Sequence, residues 1–172
     1  MADYVTADPH FGHANIIRYC SRPFSSAEEM DTEIVRSWNS VVKATDKVFL
    51  LGDFAFTRGG GDVARAYAAE KINQLNGIKV LVMGNHDKRF KPRQWVELGF
   101  SEVSSFPIIY KDYCILSHQP IEFLSGTPYV NLFGHVHNSP NYPTYTNASV
   151  CVCMERWDYK PVLISKITER FR

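Results

Sequence analysis

With 172 residues, 45% of them hydrophobic and 22% charged, the chain has the size and composition of one soluble globular domain and too much apolar material for a disordered one. Lys plus Arg number 19 against 18 for Asp plus Glu, so the net charge of +1 offers no electrostatic case for a general nucleic-acid or acidic-membrane binder. No apolar run approaches the ~20 residues of a membrane span. The opening MADYVTADPH has neither a basic leader nor an apolar signal core, so a cytoplasmic location is expected.

In chain order, the first predicted strand is Tyr4-Val5-Thr6-Ala7, stopping at Asp8-Pro9-His10. A helix is predicted after Pro23-Phe24, because Ser25 and Ser26 each stand three residues before a Glu, the spacing of a capping box. Met30, Ile34, Trp38 and Val41 or Val42 recur at intervals of three or four and give it one apolar face. Asp46-Lys47 ends that helix, and the wholly apolar Val48-Phe49-Leu50-Leu51 reads as a buried strand ending at Gly52-Asp53. Gly59-Gly60-Gly61 is a loop, and Asp62 is the predicted N-cap of a second helix running through Leu75 to a stop at Gly77.

A third strand, Ile78 to Met83, leads into Gly84-Asn85-His86-Asp87. Further strands are predicted at Phe106 to Tyr110, Tyr113 to Ser117, Val130 to Phe133, Ala148 to Met154 and Pro161 to Lys166, with a turn at Lys111-Asp112. A βαβαβ start followed mostly by strands predicts a single α/β domain over residues 1–172, its second half adding a more antiparallel sheet. Cys20 and Cys114 are isolated. A disulfide within Cys151-Val152-Cys153 would be strained, and a zinc site wants two such pairs or adjacent histidines. Cys151 and Cys153, among strand formers, are therefore expected as reduced packing residues, and the four cysteines agree with a cytoplasmic location.

The chemistry lies where the strands end. Asp8 and His10, Asp53, Asn85 and His86, His118, then His135 and His137 each follow a predicted strand. Loops beyond the carboxyl ends of strands in an open α/β sheet converge on one crevice. Each cluster alone is weak: an Asp-x-His after a strand is commonly a loop cap, and His118 by itself reads as a hydrogen-bonded core histidine. His135 and His137 are stronger, since alternate residues of an extended segment can aim two imidazoles at one place. Together they point to metal.

Asp8-Pro9-His10, Gly52-Asp53, Gly84-Asn85-His86-Asp87, His118 and Gly134-His135-Val136-His137 resemble, in order, the five motifs of the calcineurin-like metallophosphoesterase superfamily. The resemblance runs from residue 3 to about residue 166. Asp8 to His13, with Asn15-Ile16-Ile17 and Arg22-Pro23-Phe24, resembles a small bacterial and phage branch. The fold it implies is a four-layer α/β/β/α sandwich with two mixed β-sheets, a mainly parallel one from residues 3 to about 83 and a second from about 106 to 166.

The resemblance also implies two divalent transition-metal ions. One takes Asp8, His10, Asp53 and His137; the other takes Asp53, Asn85, His118 and His135, with Asp53 as the bridge. Manganese is favoured, and Fe, Zn, Co or Ni also suit carboxylate and imidazole ligands. His86 is then a non-ligand histidine that steadies the phosphate or protonates the leaving alkoxide, and Asp87 orients it by a hydrogen bond. Gly52, Gly84 and Gly134 keep side chains out of the pocket. Asn85 and His86 contact substrate, while His13 either faces the same cleft or simply begins a helix.

The implied reaction is in-line attack on phosphorus by a hydroxide bridging the metals. A phosphodiester of a small nucleotide-like substrate is favoured over a phosphomonoester. The alternative from another class, a catalytically silent interaction scaffold, sits poorly with the retention of His86 and every ligand. The expected partner is a small phosphoester; no membrane is implied, and the chain has neither the length nor a basic stripe for tracking long nucleic acid. Arg22, Arg58 and Arg156 are read as solvated, with a second phosphate as the functional alternative. Trp38 and Trp157 are read as packing residues, and Trp95 as a cleft wall or a helix anchor.

Overall fold

Successive side chains of a strand face opposite ways, so a run as apolar as Val48-Phe49-Leu50-Leu51 needs cover on both sides. The computed structural model, which describes every residue except Thr57, Arg58, Asp112, Phe123, Ser125 and Arg172, shows both covers. Arg58 and half of the Lys111-Asp112 turn thus lie outside the described residues. In chain order the elements begin with β1 (Asp3–Thr6), α1 (Ala14–Tyr19), α2 (Ala27–Val41), β2 (Lys47–Leu50), α3 (Gly61–Gln74), β3 (Ile78–Val82) and α4 (Pro92–Leu98). They continue with β4 (Glu102–Ser104), β5 (Ile108–Tyr110), β6 (Cys114–Ser117), β7 (Val130–Phe133), β8 (Ser149–Cys151), β9 (Val162–Leu163) and α5 (Ile164–Thr168).

The first sheet has the order β4-β3-β2-β1-β9, with β1 to β4 parallel and β9 antiparallel to β1. Val48, Leu50 and Leu81 face Met30, Ile34 and Trp38 of α2, Ala68 and Ile72 of α3, and Trp95 of α4. Phe49, Leu51, Val80 and Val82 face the other way, into a core shared with Leu116, Leu132 and Val150 of the second sheet and with Ile164 and Ile167 of α5. The second sheet has the order β5-β6-β7-β8. Its far face carries Phe133 and Cys151, packed against Val136 and Tyr142.

The architecture is the mixed α/β one with two mixed sheets, but several details differ from expectation. The second sheet is antiparallel only between β5 and β6; β6, β7 and β8 run parallel. The predicted strand Pro161 to Lys166 pairs over just two residues, rejoins the first sheet, and then turns helical, burying Ile164 and Ile167 on one helix face. Gly60, not Asp62, is the N-cap of α3; Asp62 lies in the first turn, where its charge complements the exposed N–H groups. Helix α4 was marked by Pro92 in its first turn and by Gly99, at φ +123°, as its C-cap. On α2, Ser26 caps as predicted, its hydroxyl accepting from Glu29 N at 3.1 Å. The return bond is displaced by one residue: the Glu29 carboxylate takes the Ser25 N–H at 2.8 Å and the Ser25 hydroxyl.

Candidate metal centre

Parallel pairing places the carboxyl ends of β1, β2 and β3 side by side, and those of β6 and β7 likewise. Asp8, Asp53 and Asn85 leave the first sheet there, and His118, His135 and His137 leave the second. One hydrogen bond ties the two sets, His135 N–H donating to Asp8 Oδ2 at 2.8 Å. The backbone bends hard to do this. Asp8, His10, Asp53, His135 and His137 have φ between 50° and 71°, and they are five of the nine described non-glycine residues with positive φ. L-residues pay roughly 1–2 kcal/mol each for that conformation, which persists where the surroundings over-determine it.

The approach is close enough to exclude side chains. A Cβ on Gly84 would overlap Asp53 Oδ1, and one on Gly134 would overlap Asp8 Oδ2 and Ala7.

Of the four donor groups among the described residues, two match the expected ligands: Asp8, His10 and His137, and Asp53, His118 and His135; the others are His10, Asp53 and His86, and Cys20, His137 and Glu155. In the first, Asp8 Oδ1 and His10 Nε2 stand 3.9 Å apart, buried and without a hydrogen-bond partner. In the second, the carbonyl of Leu51 can only accept, so His118 Nδ1–H donates to it at 2.9 Å and Nε2 keeps its lone pair. That lone pair meets Asn85 Oδ1 at 2.9 Å and His135 Nδ1 at 3.1 Å. Asp53 lies between the groups: its Oδ2 is 3.6 Å from His10 Nε2 and 3.6 Å from His118 Nε2. Its Oδ1 accepts the His86 N–H at 2.8 Å.

Burial pushes the Asp8 carboxyl well above its ordinary range, with the charges of Asp53 and Glu155 adding to the effect. Asp53 and Asp87 are also pushed up, chiefly by burial. The imidazoles move oppositely: burial drives His10 well down, and lowers His118 and His135. An unpartnered Asp8 oxygen beside an unpartnered imidazole nitrogen, with the Asp53 carboxylate between two histidine groups, is the donor set that a borderline divalent cation takes, and its charge offsets the cost of keeping those carboxylates ionised.

The family model for calcineurin-like phosphoesterase matches residues 4–159. The chain belongs to the calcineurin-like phosphoesterase family. Uncharacterized protein MJ1445 of Methanocaldococcus jannaschii is 34% identical over 177 residues, covering 97% of this chain and 91% of that protein. Gene 66 protein of Mycobacterium phage L5 is 32% identical over 84 residues, 49% of this chain and 39% of the phage protein. A solved structure, the protein of unknown function AQ665 from Aquifex aeolicus, matches with a TM-score of 0.72 at 25% identity, over 98% of both chains. Membership of the calcineurin-like phosphoesterases implies metal-dependent hydrolysis of phosphoesters, and the two donor groups suit divalent metals.

Around this phosphoesterase centre the supporting residues depart from expectation. Asp87 does not reach the His86 ring. Its fully buried carboxylate accepts from the N–H groups of Asp53 at 2.8 Å, Phe54 at 2.9 Å and Gly84 at 2.7 Å, so both oxygens brace the loops after β2 and β3. The His86 side chain stays one-third exposed, with Nε2 4.0 Å from Asp53 Oδ2, close enough to form a further donor group with His10 and Asp53. His13 occupies the N-cap position of α1 without making a side-chain cap bond. Its Nδ1 lies 3.2 Å from His10 Nδ1, and burial chiefly lowers it to about 4.

Arg22 is not solvated. Its side chain is fully buried, and Nε and Nη2 donate to Glu155 Oε1 at 3.0 and 2.7 Å. Nη1 and Nη2 also donate to the carbonyls of Pro9 at 2.8 Å and Asp8 at 2.7 Å. The same Glu155 oxygen is 2.8 Å from His137 Nδ1, which leaves Nε2 as the nitrogen available to the donor group His137 forms with Asp8 and His10. Burial pushes Glu155 upward, but the His137 hydrogen bond and the Arg22 charge outweigh it and hold the carboxyl at about 2. Arg156 is committed too, donating to the carbonyls of His137 at 2.6 Å and Ser139 at 3.0 Å. Neither arginine is free for a second phosphate.

Glu155 escaped sequence reading because it sits in no motif. The four cysteines form no disulfide and are buried, as expected of Cys151 and Cys153, with Cys153 Sγ 3.3 Å from Asp8 Oδ2. Trp95 anchors α4, its indole donating to Asp87 O at 3.0 Å, and Trp38 and Trp157 are packing residues.

Proposed function

We propose that this chain is a dinuclear metal-dependent phosphodiesterase. Asp8, His10, Asp53 and His137 would hold one ion, and Asp53, Asn85, His118 and His135 the other. The carrying observation is Asp53, whose Oδ2 lies 3.6 Å from a ring nitrogen of each group. When bound, a pair of ions such as Mn2+, or Fe, Zn, Co or Ni, supplies an acidified water and positive charge for the phosphoryl oxygens. The rest is protein. Glu155 and Leu51 O set the tautomers of His137 and His118, so each presents a lone pair to the site. Asp87 holds the two loops in register. His86, its side chain one-third exposed, binds a phosphoryl oxygen or hands its proton to the departing alkoxide oxygen.

Two cavities with no lining residue in common support a diester. One, of about 550 Å³, borders His13 and Phe56; the other, of about 320 Å³, borders Asn85 and His118. A diester has a substituent for each, and a small nucleotide-like substrate fits both. Lys88 on the second cavity favours the monoester alternative, since it offers a cation to the extra charge. Among the described residues no helix is long and apolar enough to cross a membrane, and four cysteines without a disulfide suit a reducing cytoplasm.

The test is hydrolysis of bis-p-nitrophenyl phosphate and p-nitrophenyl phosphate by Mn2+-loaded protein at one pH. A higher kcat/KM for the diester is expected; the reverse makes the protein a monoesterase. No turnover of either, with no metal uptake, leaves only a scaffold.

A further inference from the structure

The cavity lined by His13 and Phe56 adjoins the centre through the contact of Phe56 with His86, and none of the proposed metal ligands lines it. The Phe56 ring lies 4.5 Å from the His13 ring and stands edge-on to His86, with centroids 5.4 Å apart at 89°. Phe56 is 39% exposed and Val63 61% exposed, and neither belongs to a core cluster. Packing therefore does not account for an aromatic ring held in contact with two histidines at the mouth of a polar site.

The charge on the wall is informative. Lys71 is the one cation among the described lining residues, and it is answered by Asp31 at 3.9 Å and Glu70 at 3.2 Å. Asp31 also accepts the Gly12 N–H at 3.0 Å and the Tyr67 hydroxyl, and Glu28 adds a second carboxylate to the lining. Among the described lining residues a second phosphate would find no spare cation. An uncharged substituent would meet an apolar ring and polar neighbours.

We infer that this cavity receives the leaving alcohol of the phosphoester, and that the alcohol is uncharged and carries a flat unsaturated ring, as a nucleoside does, laid against Phe56. The inference rests on the reading of the centre as a phosphodiesterase, with His86 as the group that faces the departing oxygen. His86 meets Phe56 edge-on, so the proton donor and the ring-binding surface share one side of the site. Stacking on an exposed aromatic tolerates any base, which makes the ring a general anchor.

Two measurements test this, one needing no chemistry. Calorimetry of Mn2+-loaded protein with adenosine, benzyl alcohol and ribose should give binding of the ring-bearing ligands, weakened about tenfold in Phe56→Ala. Phe56→Leu should also lose most of it, and Phe56→Tyr should keep it. Tighter adenosine than benzyl alcohol binding identifies a nucleoside; the reverse identifies a simpler aryl alcohol. In kinetics with adenylyl-adenosine, Phe56→Ala should raise KM about tenfold and affect kcat less.

Wild-type affinity for adenosine and benzyl alcohol in Phe56→Ala, or in Phe56→Leu, would overturn the inference, as would ribose binding more tightly than either. So would a preference for a leaving nucleoside bearing an extra terminal phosphate. If no diester is turned over, the phosphodiesterase reading fails while the calorimetric result still decides whether the cavity binds rings. Phe56 is exposed, so its variants are expected to fold, and circular dichroism with metal analysis checks this.

Discussion

Arg22 and Glu155 form a buried ion pair whose loss can be worked through. The Arg22 side chain has no exposure and the Glu155 side chain has 5%. Arg22→Ala removes both bonds to Glu155 and the donors to Asp8 O and Pro9 O. Breaking a buried pair from one side costs about 3–5 kcal/mol, because the surviving charge is left uncompensated. At about 2–4 °C per kcal/mol for a chain of this size, Tm should fall by roughly 6–20 °C. Glu155→Gln behaves differently: it keeps the volume and a hydrogen-bond acceptor for His137 but discards the charge. It should weaken metal binding by about 10- to 100-fold at the site containing His137. A matched apolar pair, Arg22→Met with Glu155→Leu, should recover much of the stability and none of the metal affinity. Thermal unfolding of the metal-free proteins and calorimetric Mn2+ titration measure the two effects separately. A Tm loss under 2 °C in Arg22→Ala, or wild-type metal affinity in Glu155→Gln, would refute the reasoning.

Glu155 also sets an acid dependence: its carboxyl is lowered from 4.5 to about 2 in the fold, so its stabilising contribution is complete above pH 4.5 and is lost as pH falls through 2. Acid unfolding curves should therefore be flatter over that window in Glu155→Gln than in the wild type, and parallel curves would reject this. Asp53→Asn should empty both metal sites together, since one oxygen faces both groups; a fully replete pair by metal analysis would remove Asp53 as the bridge. His118→Ala should lose metal and recover in part with excess Mn2+, whereas His86→Ala should retain metal and lose about 10²- to 10⁴-fold in kcat. Metal loss in His86→Ala, rescued by added Mn2+, would instead make His86 a ligand, as its 4.0 Å approach to Asp53 allows. Asp87→Asn places an amide against three backbone N–H groups and should cost roughly 2–4 kcal/mol of stability, read by denaturant unfolding.

The fold was legible where a pattern was long enough to have a period. Met30, Ile34 and Trp38 mark one face of α2, and all three are fully buried against the first sheet. The strands Val48 to Leu51 and Ile78 to Met83 were recognisable from composition, because a sheet covered on both faces needs apolar residues in both phases. The connections of the second sheet carried no such pattern. Parallel neighbours need a crossover, usually helical, and the described residues of 118–129 and 134–148 include no α-helix, so β6, β7 and β8 looked like hairpin strands. Ile164 and Ile167 failed in the other direction: two isoleucines three apart suit a strand by propensity and a helix by spacing, and five residues are too few to decide.

The same distinction separates the donor atoms of the centre from what holds them. Asp8, Asp53, Asn85, His118, His135 and His137 were visible because each follows a strand, and strand ends are countable in a sequence. Arg22 and Glu155 are 133 residues apart, and nothing in the sequence around either announces the other. An Arg before Pro23 and a Glu after an apolar segment are ordinary surface residues until the fold buries them. What makes them necessary is a cost that appears only in three dimensions: a carboxylate turned toward His137 Nδ1 must be taken out of water, and a guanidinium must go with it. Such partners follow from asking, for every buried ligand, where its second polar atom goes. Posed for His118, the answer is Leu51 O, and for His137 it is Glu155. For Asp8 Oδ1 and His10 Nε2 no protein atom answers, which is why the argument for a cation is strongest at those two atoms.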